Sequence, residues 1–276
     1  MSSHEASDAR EDGASRPAFL TNEPSLPSGL TVWLFAASLA AGLLAWLAGE
    51  SSLMWVAPKQ VPMVTMGTHH NATTTATEQA AVGATASRIN GVFGALLGLA
   101  LGTAGGLAIR SSGNALRSAA LGTVLGAFTA GAAALGATRV FYRSRDVIEN
   151  ELIASLLLHY AMWVAVALPA ALALSLGTGS RRVGVGRALM GGAFGALLGT
   201  AVFEFAGAVV FPTDDAGEPI STTALSRLLA RLCVALFTAL GIWAMFVKAD
   251  SAAASTAPSS SRAQGDVASH DLNTAP

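Results

Sequence analysis

Residues 91–109 read Gly-Val-Phe-Gly-Ala-Leu-Leu-Gly-Leu-Ala-Leu-Gly-Thr-Ala-Gly-Gly-Leu-Ala-Ile, and this stretch decides the fold. It carries no ionisable side chain. At ~1.5 Å per residue it is long enough to cross most of a ~30 Å hydrocarbon core as a helix. Gly94, Gly98, Gly102 and Gly106 recur at every fourth position, which puts them on one helical face. In lipid such a face lets a second backbone come close, so that dispersion and weak polar contacts hold the two together. Gly191, Gly195 and Gly199 repeat the spacing in a later apolar stretch. The stretch therefore predicts a membrane helix that packs through the side chains it lacks.

Working outward, five more segments have the length and apolarity to span: Leu30–Gly49, Leu116–Ala137, Leu152–Leu176, Ala188–Phe211 and Ala224–Val247. Together with Gly91–Ile109 they predict an all-α, polytopic transmembrane helix bundle of about six spans over residues 30–248, packed through Gly and Ala. Composition agrees. The 276 residues are 52% hydrophobic and 12% charged, where a soluble domain carries about a quarter charged residues. A net charge of −1 offers no basic field to nucleic acid. The single cysteine, Cys233, excludes an intrachain disulfide. Fourteen Arg stand against two Lys, with Ala and Gly abundant. That bias suggests a GC-rich bacterial source, and hence a bacterial inner membrane.

Residues 1–29 and 249–276 are polar, with Ser, Pro and scattered charge, and read as disordered tails. The first apolar run starts only at Leu30, without a basic region directly before it or a clear small-x-small cleavage site. It therefore reads as a retained span and not a removed signal. Thr75 with Glu78, and Asp146 with Glu149, fit capping boxes, and Ser221 or Thr222 can cap the last helix. Pro169 should kink the fourth helix or loosen one turn of it. With the N-terminus inside, nine basic residues fall on the cytoplasmic side and seven on the other. Arg110 and Arg117, and Arg181, Arg182 and Arg187, bracket two short turns, so both termini are expected in the cytoplasm.

Phe-Gly-Ala-Leu-Leu-Gly occurs at residues 93–98 and again at 194–199. Three spans separate the copies, so they cross in opposite directions, as inverted repeats do in many secondary transporters. Sequence built from Ala, Gly and Leu also matches itself by chance. The glycine faces are open both to packing within the chain and to a homo-oligomer.

Ionisable groups inside a membrane are costly and mark candidate sites. Here they are His159, Glu204 and Arg231, with Arg227 one turn shallower. The first three each lie seven residues from the same-side end of their segment, about 10 Å deep, so they should form one layer. One reading is a structural Glu204–Arg231 salt bridge in a non-enzymatic membrane protein. The other is a small secondary transporter or channel that uses the layer of Glu204, Arg231 and His159 as a proton or ion relay or a gate. No Ser/His/Asp set, G-x-S-x-G or H-E-x-x-H occurs, and no cofactor motif is present. His69 and His70 read as a solvated loop pair and not as metal ligands. The expected partner is the lipid bilayer.

Overall fold

A computed structural model describes residues 29–144, 150–179, 182–211 and 218–256. Six helices carry the chain: α1 Leu30–Ser52, α2 Thr75–Ala108, α3 Ser112–Ser144, α4 Glu151–Gly177, α5 Arg182–Val210 and α6 Ala224–Thr256. Each contains a segment long and apolar enough to cross a membrane. The chain is an all-α bundle of six such helices, with almost no sheet. Successive helices alternate in direction. The α2–α3 and α4–α5 turns lie on one side, and the long α1–α2 connection lies on the other, called here the hairpin side.

The sequence marks that connection only as a large, weakly charged loop. It holds one turn of 3₁₀ helix, Leu53–Trp55, and a two-stranded antiparallel hairpin, β1 Val61–Thr65 paired with β2 Thr68–Ala72. Met66 and Gly67 both have positive φ at its tip, as a two-residue type I′ turn requires. Met is an unusual residue there, and that hid the turn from the sequence.

The caps sit near the expected places but on neighbouring residues. Thr74 caps α2 in a reciprocal box with Thr77, and Thr73 bonds Glu78. Asn150 caps α4 through the Ile153 N–H; Asp146 and Glu149 lie outside the described residues. Thr223, and not Ser221 or Thr222, accepts the Ser226 N–H at the start of α6. α6 runs on to Thr256, past the expected end at Val247. Its extension, Ala-Asp-Ser-Ala-Ala-Ala-Ser-Thr, is rich in alanine, the best helix former. Residues 1–28 and 257–276, most of the expected tails, lie outside the described ones.

Backbone contact follows the glycine stripes. Gly94 lies against Gly126, Gly98 against Gly122, Gly102 against the backbone of Ser118 and Ala119, and Gly106 against Ala115. A Cβ on Gly98 would collide with the Gly122 carbonyl. The second stripe meets α6: Gly191 against Gly241 and Ile242, Gly195 against Phe237 and Thr238, Gly199 against Cys233. Both stripes are thus occupied within one chain. Hydroxyls add polar ties across the α2–α3 seam, from Ser87 to the Gly131 carbonyl (2.8 Å) and from Ser118 to the Gly102 carbonyl (2.9 Å).

The helices form a ring in which α2 also packs on α4. The core is centred on α2 and α4, where Phe93, Leu97, Val166 and Ala170 are fully buried. The Thr200/Glu204 face and the Gly191/Gly195/Gly199 stripe point different ways on the fifth span, a pattern that predicts a central helix. Instead α5 packs mainly on α4 and α6 and turns Val202, Phe205 and Val209 outward. The two faces that need partners, Thr200/Glu204 and the glycine stripe, are satisfied by these two neighbours alone. The repeated hexapeptide also differs between its copies, since Phe93 is buried and Phe194 is half exposed.

Helix α4 stays helical through Pro169. A proline cannot donate to the carbonyl four residues earlier, which is that of Ala165. Thr129 of α3 supplies a hydroxyl to that carbonyl at 2.9 Å. In lipid a freed carbonyl needs such a substitute donor.

Candidate functional site

Four helices bring ionisable or amide side chains into one layer towards the hairpin side. On α4, Ser155, His159 and Trp163 are spaced at four, so they share a face. On α5, Glu204 turns to meet that face. The Glu204 carboxylate is only 7% exposed, and its Oε1 accepts from Ser155 Oγ at 2.6 Å. His159 Nδ1 lies 2.6 Å from the same oxygen. Phe203, Trp163 and the His159 ring form an aromatic triangle with centroids 5.1–5.5 Å apart. This apolar packing excludes water from one side of the imidazole–carboxylate pair and holds both rings in place.

The expected Glu204–Arg231 bridge is not formed. Arg231 Nη1 instead donates to Asn90 Oδ1 of α2 at 3.0 Å, and its guanidinium carbon sits 4.9 Å from the centre of the Phe93 ring, as a cation–π contact. Asn90 is oriented for this role because its own amide donates to the Ala86 carbonyl. The depth estimate placed Glu204 and Arg231 in one layer, but depth does not fix rotation about a helix axis. Glu204 faces α4, while Arg231 faces α2.

Arg227, one turn nearer the surface, meets Glu50 at the end of α1. Its Nε and Nη2 reach the two carboxylate oxygens at 2.6 and 2.7 Å, and Nη1 donates to the Ser221 and Thr222 carbonyls. This is a two-pronged ion pair that also fixes the chain entering α6. Trp46 ties the same helices by donating to the Ala224 carbonyl.

No family model, curated protein or solved structure matches this chain. The site must be read from its own geometry.

Between these groups lies a cavity of about 30 Å³, bordered by Asn90, His159, Trp163 and Arg231 and roofed by Pro219, Ile220 and Ser221. A water needs about 10–15 Å³ by this measure, so the space suits one or two. His159 and Arg231 therefore border the same small crevice from opposite helices, and Glu204 is bonded to the former. Asn90 and Glu50 escaped the sequence reading. Asn90 falls one residue before the apolar stretch, and Glu50 one residue after the first. Each looked like the edge of a span and not part of a buried layer. His69 and His70 are exposed on β2, and no metal-holding group of His, Cys, Asp and Glu occurs among the described residues.

Proposed function

We propose that this chain is a non-enzymatic, polytopic membrane protein whose His159–Glu204 pair binds and releases a proton through the adjoining crevice. The pair is then the working element of a small transporter or proton-responsive protein. The observation that carries this reading is the 2.6 Å contact between His159 Nδ1 and Glu204 Oε1, buried, without an arginine on the carboxylate, and beside a cavity that takes water. A structural bridge needs two fixed charges, and Glu50 with Arg227 meets that need. An imidazole and a carboxylate in such contact can hold one proton between them, and that proton decides their combined charge. Among the described residues, the charged groups grouped around the layer are Arg231 and Arg227 of α6 and Glu50 of α1.

Orientation with both termini in the cytoplasm puts the crevice towards the outside. Of the seven basic residues on the hairpin side, Arg227 and Arg231 are engaged within the bundle, which leaves five others against nine on the other side.

Infrared difference spectra of the protein in liposomes, taken between about pH 4 and 9, test the proton reading. A carboxyl band should appear on acidification, vanish in Glu204→Gln and shift in His159→Gln. Gln at 204 can still accept from Ser155, so the variant should remain folded. A wild-type spectrum with no Glu204-dependent change across that range would overturn the proposal.

A further inference from the structure

Arg231 is buried to nine-tenths yet underused. A guanidinium has five N–H donors. Among the described residues Arg231 makes one hydrogen bond, to Asn90, and one ring contact, to Phe93. The nearby carboxylate, Glu50, has both oxygens taken by Arg227. Two guanidiniums therefore share one carboxylate. Buried charges are normally paired, and whenever the His159–Glu204 pair carries a proton one positive charge is left over in this layer. The 30 Å³ cavity lies beside that charge.

We propose that the crevice binds a halide-sized monoanion against Arg231, with Asn90, His159 and Trp163 as its walls. Size selects the class. The space equals about two waters, which admits a halide and excludes a phosphate group. The proposal builds on the proton reading, because charge couples the two events. With a proton on it, the His159–Glu204 pair is neutral overall, and the excess charge of Arg231 calls for an anion. When the proton leaves, the pair becomes negative and offsets Arg231 itself. Proton and anion thus favour each other, and each must strengthen the binding of the other by the same factor.

Bromide titration of the full chain in nanodiscs, read by tryptophan fluorescence, tests this. Trp163 borders the cavity, and the other four tryptophans supply an unsaturable background. The expected result is a saturable quenching component that chloride displaces, that disappears in Trp163→Phe, and that weakens about tenfold or more in Arg231→Gln. Arg231→Lys should retain part of it. Binding should tighten on acidification and lose that dependence in Glu204→Gln. Linear quenching in the wild type, with no displacement by chloride, would mean that the crevice holds water only and would overturn the proposal without recourse to any variant. If bromide fails while the Glu204 infrared band persists, the anion site alone is wrong. If bromide binds saturably at every pH and the band is absent, the proton reading and the coupling fall together.

Discussion

Arg227 and Arg231 sit one helical turn apart on α6, yet their surroundings differ. Arg227 uses four of its five donors, on a carboxylate and two carbonyls that belong to α1 and the α5–α6 connection. Arg231, deeper, uses one donor on a neutral amide. Both line the same cavity, but the shallower residue joins segments of the fold, whereas the deeper one has no carboxylate against its guanidinium. The difference shows that depth in the bilayer does not rank an arginine as structural or functional. The count of satisfied donors is what separates the two.

Four substitutions would break or sharpen this contrast. The largest effect should come from Glu50→Gln, which removes the carboxylate that both arginines depend on. Loss of one partner from this partly buried, two-pronged pair should cost about 3 kcal/mol, the low end for buried pairs, read by reversible unfolding in mixed micelles. Next, Arg227→Met should cost about 2 kcal/mol, since it strands Glu50 and two carbonyls. Arg231→Met should change stability by no more than about 1 kcal/mol, because no carboxylate loses a partner there and the apolar replacement avoids burying a charge. Equal losses in the two variants would erase the distinction. The smallest effect is the coupling between Asn90 and Arg231. A double-mutant cycle with Asn90→Leu and Arg231→Met should give about 0.6 kcal/mol, as for other interhelical hydrogen bonds in membranes.

Much of the fold was legible because lipid imposes simple rules. Span length follows from a fixed rise per residue, and the four-residue glycine spacing marks the close seams before any partner is known. The stripe on α2 finds Gly122 and Gly126, and the stripe on α5 finds Gly241. The layer of His159, Glu204 and Arg231 was legible for the same reason, since it depends on depth alone. What escaped depends on angle and on neighbours. Glu204 was assigned to the arginine on the adjacent helix, but its side chain turns the other way, to α4. The caps of α2 and α6 moved by one residue because several Ser and Thr stand side by side at those two starts, and single-residue geometry chooses among them. The hairpin lacked the Asn-Gly signature that would have announced it.

The two glycine seams also limit how this bundle can move. Teeth set four residues apart let α3 slip along α2 only by whole steps of about 6 Å, because any smaller shift drives a side chain onto a glycine backbone. The same holds for α6 on α5. Each pair is therefore a stiff double rod. Helix α4 is gripped by the first rod at one end, where Gly177 lies against the backbone of Gly102 and Gly106, and Ala173 lies against Gly122. Its other end, beyond Pro169, carries His159. The crevice draws Asn90 from one rod and Arg231 from the other, so it lies between the two stiff pairs and not within either.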